Sequence, residues 1–215
     1  SSDLRRGALD FDAPEAKCRI DAAEHIDGIG LYARNDAHRL IEECMVLANV
    51  AAARELESQQ VPTLYRVHPE PEPRKLDILV TTLRALGIGL ELPPEIATRD
   101  LQKIAPRIKD PAARPFIEQL VVRSLMQAMY SPGNIGHFGL ALKQYAHFTS
   151  PIRRYADLLV HRALVDAFAL EQPGPSCALP SATGLSDRDR ADLTRVSEAI
   201  SLTERRAMEA ERDTI

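Results

Sequence analysis

The chain has 215 residues, of which 45% are hydrophobic and 27% charged, so it can bury a sizeable core in one or two domains. Its formal net charge of −4 argues against a surface coated throughout for nucleic acid, although a local basic channel is compatible with it. Apolar runs fall short of the roughly 20 residues that a membrane helix needs, and the cysteines show no zinc spacing, so we expect a cytoplasmic protein without membrane spans.

The first part of the chain predicts two short strands followed by one long helix. Apolar and polar residues alternate over residues 8–11 and again over 18–20, with a turn-like segment between them. The next apolar run has helical spacing. It begins with Asn35 or Asp36 as the N-cap and fades near Ser58.

The middle of the chain predicts three helical segments after one short strand. Residues 63–68 are strand-like, and a helix is expected from Arg74 to Leu86. A shorter helical region follows through residues 99–110. A long helix is then expected from residue 111 to residue 130.

The last part predicts two strand-like runs and two helices. One strand is expected at the end of segment 131–142, after a loop, and the second over residues 145–150. A helix follows with Ser150 as cap and Pro151 at its first position. Segment 171–186 is linker-like, and a final helix begins near residue 186. The fold class is therefore α+β, dominated by helices with a few short antiparallel strands.

Two arginines stand in the predicted first turn of the helix that follows Pro151. A helix N-terminus repels cations, so Arg153 and Arg154 suggest a bound anion there. Guanidinium groups, free backbone N–H groups and the neighbouring hydroxyls of Thr149 and Ser150 would suit a phosphate. The alternatives are solvated arginines whose stems cover a core, or an ion pair with Asp157.

The pair Glu42-Glu43 lies in the most apolar part of the first long helix. Apolar residues surround it on nearly every helical face, so at least one carboxylate is expected to be buried or to face a cleft. A buried carboxylate needs a cation or a hydrogen-bond donor. A structural salt bridge to an arginine such as Arg123 is the simpler interpretation from the residues alone.

Aromatic and imidazole rings are concentrated just before the two arginines. Rings beside a phosphate site suggest base stacking, although such residues more often belong to a core. The residues concerned are His137, Phe138, Tyr145, His147 and Phe148.

Two long stretches resemble the ribonuclease II family, most closely its ribonuclease R branch. They are HFGLALKQYAHFTSPIRRYADLLVHRAL, residues 137–164, and RNDAHRLIEECMVLANVAAAREL, residues 34–56. The resemblance extends over nearly the whole chain. It implies a processive exoribonuclease that hydrolyses single-stranded RNA from its 3′ end to nucleoside 5′-monophosphates, with two Mg²⁺ ions.

The resemblance also implies roles for individual residues. Arg153 matches an arginine that contacts the scissile phosphate, and Glu42 matches an acidic residue near the 3′-terminal nucleotides; we expect these two to be catalytic. Phe11 matches an aromatic that stacks on terminal bases, and Glu211 matches a glutamate that positions the 3′-terminal nucleotide. Further substrate contacts are expected from the rest of the arginine motif, namely Ser150, Arg154 and Tyr155.

The family's metal site, a cluster of closely spaced aspartates, has no counterpart in the sequence. The only D-x-D pairs are Asp10/Asp12 and Asp187/Asp189, and neither fits. We therefore expect residues 1–215 to be the C-terminal half of a catalytic domain, a fragment inactive alone, with the Mg²⁺ ligands elsewhere in a parent protein. The expected partner is a single-stranded RNA 3′ end, with other RNA-decay proteins, and the expected state is a monomer. The alternative is a non-catalytic RNA-binding or scaffolding relative that has lost the metal site.

Overall fold

The computed structural model describes residues 7–9, 16–22, 25–31, 35–93, 95–170 and 191–214. The described chain divides into two units. The first takes the residues up to Cys44 together with Pro73–Ser124, and the second takes Met45–Glu72 together with the residues from Leu125 onward. Within the described part, none of the helices has the length and apolarity needed to cross a membrane.

The first unit combines a β-hairpin with short helices. Its elements are β1 (Ala16–Ile20), β2 (Ile26–Leu31), the start of α1 (Asp36–Ser58), α2 (Pro73–Ala85), α3 (Thr98–Gln102) and α4 (Arg114–Ser124), with 3-10 turns at Ala105–Arg107 and Pro111–Ala113. Strands β1 and β2 are antiparallel, with Ala16 opposite Leu31. Apolar residues at helical spacing build the core of this unit, namely Leu79, Leu83, Leu101, Ile104, Ile117 and Val121.

The second unit packs helices around a small antiparallel pair of strands. Its elements are the rest of α1, β3 (Tyr65–Val67), β4 (Met129–Ser131), a 3-10 turn at Phe138–Leu140, α5 (Tyr155–Phe168) and α6 (Leu193–Thr214). Tyr65 lies opposite Ser131 in the strand pair. Its core contains Ala52, Ala53, Leu56, Leu64, Tyr65, Val67, Ala146, Leu159, Val160, Ala163 and Leu193.

Most predicted elements and the α+β class are confirmed, and local signals account for the boundaries. Helix α1 begins where predicted because the Asn35 side chain accepts a hydrogen bond from the His38 N–H at 3.0 Å, which caps the helix start. Helix α2 ends before Gly87, whose φ of +78° is readily adopted by glycine. Strand β3 and helix α6 also lie within the predicted segments.

The predicted long helix from residue 111 to residue 130 is wrong in its last part. Helix α4 ends at Ser124, and residues 129–131 form strand β4 instead. Tyr130 is held there by β3 and by a hydrogen bond from its N–H to the Ser201 hydroxyl at 3.0 Å. The strands predicted at the end of segment 131–142 and over residues 145–150 are not formed. Residues 132–150 form turns, isolated bridges and extended segments instead.

The strand predicted first in the chain is not seen where the structure describes it. Residues 8 and 9 belong to no strand, and residues 10–15 lie outside the described residues. The second predicted strand, residues 18–20, is confirmed within β1.

Candidate functional site

The arginine motif forms a tight turn in front of helix α5, and we call residues 149–154 the TSPIRR turn. The prediction that the helix begins at Pro151 is wrong: α5 begins at Tyr155, and Arg154 has the extended backbone of an N-cap (φ −125°, ψ 120°). The Ser150 carbonyl accepts the N–H groups of Arg153 at 3.3 Å and Arg154 at 3.1 Å. These two N–H groups are therefore used within the turn, and the predicted cradle of free N–H groups around the arginines is not present.

Asp157, in the first turn of α5, anchors the TSPIRR turn. Its side chain is completely buried, and one oxygen accepts hydrogen bonds from the Ser150 N–H at 2.7 Å and from the Arg154 guanidinium at 2.8 Å. The second oxygen lies 2.8 Å from Arg154 Nε without the alignment of a hydrogen bond. The Arg154–Asp157 ion pair considered as an alternative from the sequence is thus formed.

A second anchor reaches the turn from helix α1. The Asn49 side-chain oxygen accepts the N–H groups of Phe148 at 2.9 Å and Thr149 at 3.3 Å. Its amide nitrogen donates to the Tyr145 hydroxyl at 3.0 Å. His161 completes the support, because its Nε2 hydrogen-bonds to the Phe148 carbonyl at 2.8 Å and its ring stacks on the Phe148 ring at 4.3 Å.

The outer side of the turn is open to solvent. Arg153 is exposed, and its guanidinium makes no hydrogen bond or ion pair with any residue that the structure describes. Ile152 is fully exposed and Tyr155 is 45% exposed. The Thr149 hydroxyl, in contrast, is buried, so it cannot contact a solvent-borne ligand without a rearrangement.

The imidazole and phenol rings beside the turn pack on one another. Tyr145 contacts the rings of His137 and His147 at 5.4 and 5.7 Å, and the Tyr130 hydroxyl hydrogen-bonds to His147 Nδ1 at 2.8 Å. Arg66 lies over the Tyr130 ring and pairs with Glu204 at 2.6 Å. The commoner interpretation of these residues, as packing partners, fits this arrangement better than base stacking does.

The environment of these rings keeps them neutral. Burial, helped by the neighbouring His68 and Arg66, lowers the pKa of His137 to about 3. Burial and the charges of Arg154 and Arg66 lower the pKa of His147 to about 3. Burial raises the pKa of Tyr130 to about 12. His137 and His147 therefore add no positive charge beside the turn at neutral pH.

The acidic pair on helix α1 is less buried than predicted. Glu42 and Glu43 are only partly buried, and the neighbouring Leu40, Ile41 and Leu47 are 65%, 59% and 59% exposed. The prediction that this part of the helix is buried all round is wrong. The burial argument for Glu42 therefore fails, and its role rests on the motif alone.

The described structure brings together only part of the predicted site. Ser150, Arg153 and Arg154 share the TSPIRR turn, and Tyr155 follows it directly. Glu211 is exposed on α6, and Phe11 lies outside the described residues.

Sequence reasoning missed the supporting residues Asn49 and His161 and considered Asp157 only as an ion-pair partner. A polar residue inside the apolar run of α1 was the one available signal for Asn49.

The described residues do not form a metal site. Among them, no group of three or more His, Cys, Asp or Glu side chains lies close enough to hold an ion. Both D-x-D pairs of the sequence lie outside the described residues.

Comparisons with known proteins agree on one family. The family model for the RNB domain matches residues 2–169. Ribonuclease R of Escherichia coli strain K12 is 40% identical over 208 residues, which cover 97% of this chain and 25% of the relative. The chain thus spans about a quarter of the length of the curated relatives it matches.

Comparison with solved structures supports the same family. Mycoplasma genitalium RNase R in complex with ribose-methylated single-stranded RNA matches 99% of this chain and 32% of its own, with a TM-score of 0.82 and 28% identity. Yeast Ssd1, a pseudonuclease, matches 78% of this chain and 20% of its own, with a TM-score of 0.60 and 25% identity.

Proposed function

The chain belongs to the RNB domain family, and on that premise we propose that it forms part of a processive 3′→5′ exoribonuclease. The proposed substrate is single-stranded RNA, which is hydrolysed to nucleoside 5′-monophosphates with a divalent metal. Because the chain spans a quarter of its curated relatives, this activity is proposed for a longer protein that contains it. The cytoplasm is the proposed compartment.

Two kinds of likeness support the proposal. The identity to E. coli ribonuclease R extends over almost the entire chain. The structural likeness to M. genitalium RNase R includes a form in complex with single-stranded RNA. RNA is therefore the proposed partner of this chain.

The observation that carries the proposal is exposed Arg153 on a turn whose backbone is hydrogen-bonded to Asn49 and Asp157. A guanidinium donates two parallel hydrogen bonds to a phosphate, and a fixed position lets it act without reorganising during the reaction. We place this group on the scissile phosphate, where it neutralises charge as the phosphodiester bond breaks. The buried ion pair of Arg154 gives that residue a structural role in the proposal.

The remaining motif residues hold the 3′ end in register in this proposal. Phe11 stacks on a terminal base, an interaction that tolerates any sequence. The carboxylates of Glu42 and Glu211 accept hydrogen bonds from the sugar hydroxyls at the RNA end. Ser150 and Tyr155 contact the chain beside Arg153.

The described residues do not fit the Mg²⁺ ions that the family implies. They provide no cluster of ligands, so no step of the reaction is assigned to a metal held by them. In the proposal the metal is bound by aspartates of the longer parent protein, outside this chain.

A non-catalytic RNA-binding relative is the second candidate. The likeness to the pseudonuclease Ssd1 is the observation in its favour. The structural match to RNase R, with a TM-score of 0.82 over 99% of this chain, is better than the match to Ssd1, with 0.60 over 78%, and this favours the enzyme.

The test is degradation of a 5′-labelled single-stranded oligoribonucleotide by the full-length protein, with Mg²⁺ or Mn²⁺ supplied. We expect progressive shortening from the 3′ end and release of nucleoside 5′-monophosphates. Arg153→Ala should lower kcat at least about 100-fold. Arg153→Lys should lower it almost as much, because an ammonium cannot donate two parallel hydrogen bonds to the phosphate. Arg205→Ala, at an exposed arginine of α6, is the matched control.

Two results would contradict the proposal. If RNA binds but is not shortened under either metal, the non-catalytic candidate is correct. If the Arg153→Lys protein has the wild-type kcat, Arg153 does not act through two parallel hydrogen bonds to the phosphate.

A further inference from the structure

Two buried polar side chains lie beneath the TSPIRR turn. Asn49 is 3% exposed and Asp157 is completely buried. Burying an amide or a carboxylate costs free energy unless hydrogen bonds replace the lost water. Their presence therefore calls for an explanation beyond core packing.

Both side chains direct hydrogen bonds to the backbone that leads into the turn. Asn49 accepts the N–H groups of Phe148 and Thr149, and Asp157 accepts that of Ser150. Three consecutive backbone N–H groups are thus fixed by two helices. We call Asn49 and Asp157, with the three N–H groups they bind, the clamp. Asn49 lies 99 residues before Phe148, so the clamp exists only in the folded chain.

The clamp also separates the two arginines of the motif. The guanidinium of Arg154, only 21% exposed at its side chain, turns inward to the Asp157 carboxylate. Arg153 leaves the turn on its outer side and is exposed. Neighbouring residues of the same type therefore have opposite orientations, which the backbone of the turn dictates.

We propose that Asn49 and Asp157 are positioning residues, which fix the TSPIRR turn so that Arg153 meets the RNA phosphate, with Arg154 as the counter-ion of Asp157. This inference rests on the proposed function, because the role of Arg153 is part of it. Neither Asn49 nor Asp157 touches the substrate in the proposal. Both act through the direction in which Arg153 leaves the turn.

The test is a double-mutant cycle in the full-length protein, with kcat and RNA Kd measured on a single-stranded oligoribonucleotide. Asp157→Asn keeps the size of the side chain but removes the charge that holds Arg154. It is made in the wild-type and in the Arg153→Ala background. Asp166→Asn, at an exposed position of the same helix, is the matched control.

We expect Asp157→Asn to lower kcat by about 10-fold or more in the wild-type background and by less than about 2-fold in the Arg153→Ala background. RNA Kd should change by less than about 3-fold, since other phosphate contacts remain. A general loss of stability would lower activity equally in both backgrounds. An equal loss in both backgrounds would therefore overturn the positioning role.

A second variant keeps the test decisive if Asp157→Asn does not fold. Tyr145→Phe removes only the hydroxyl that receives the Asn49 amide hydrogen bond. We expect a loss of about 3-fold in kcat that disappears in the Arg153→Ala background. No loss, or an equal loss in both backgrounds, would overturn the inference.

Failure of this inference is distinguishable from failure of the proposed function. If Arg153→Ala alone leaves kcat unchanged, the assigned role of Arg153 is wrong and the positioning role falls with it. If Arg153→Ala is slow but the cycle shows no coupling, only the positioning role fails.

Discussion

Acidification should destabilise the chain through His137 and His147, starting near pH 6.5. Both imidazoles are neutral in the folded state, with a pKa of about 3, whereas an imidazole in the unfolded chain titrates near 6.5. The His137 Nδ1 also accepts the Leu140 N–H at 3.2 Å, a hydrogen bond that protonation of this nitrogen would break.

The sign and size of the effect follow from proton binding. Below pH 6.5 the unfolded chain binds protons that the folded chain does not, so the free energy of unfolding falls as the pH falls, down to about pH 3. At pH 5.5 each histidine lowers it by about 1.4 kcal/mol relative to pH 7.5. The pair contributes about 2–3 kcal/mol at most, because both side chains are partly exposed and solvent screens them.

The assay is urea unfolding of the 215-residue chain at several pH values between 7.5 and 5.5. His147→Gln keeps an acceptor for the Tyr130 hydroxyl and should reduce the pH-dependent loss by about 1.4 kcal/mol. If His147→Gln and the wild type show the same pH dependence, His147 is not held neutral and the reasoning is wrong.

Four further outcomes are expected. The isolated 215-residue chain should not release mononucleotides from a single-stranded oligonucleotide with Mg²⁺ or Mn²⁺, because the family's aspartate cluster has no counterpart in its sequence. Release that Arg153→Ala abolishes would contradict this. In the full-length protein, Phe11→Ala should leave longer end products whatever the base sequence of the RNA. Glu211→Ala should lower the ratio of the RNA to the DNA degradation rate at fixed salt. If that ratio is unchanged, Glu211 is a solvated surface residue. Leu159→Ala should lower the free energy of unfolding by about 2–5 kcal/mol in urea unfolding because Leu159 is 1% exposed, whereas Ile152→Ala, at a fully exposed residue, should change it by less than about 0.5 kcal/mol.

Elements with local signals could be predicted from the sequence. The capping side chain of Asn35 and the glycine at position 87 both act within a few residues, so the start of α1 and the end of α2 were found where predicted. The family was also recognisable, because the motif around Arg153 is long and unusual in composition.

The sequence alone determined which residue types lie around the arginine motif, and the tertiary structure decided what each of them does. Arg153 and Arg154 are neighbouring residues of the same type. The buried Asp157 binds Arg154, whereas Arg153 is exposed. Helix α5 begins at Tyr155 and not at the predicted Pro151 because Asn49 and Asp157 hold the preceding backbone in an extended segment and a turn. The ion pair of Asp157 with Arg154 spans three residues and could be anticipated from spacing. The Asn49 hydrogen bonds join residues about 100 positions apart, and no local pattern of propensity or spacing encodes them.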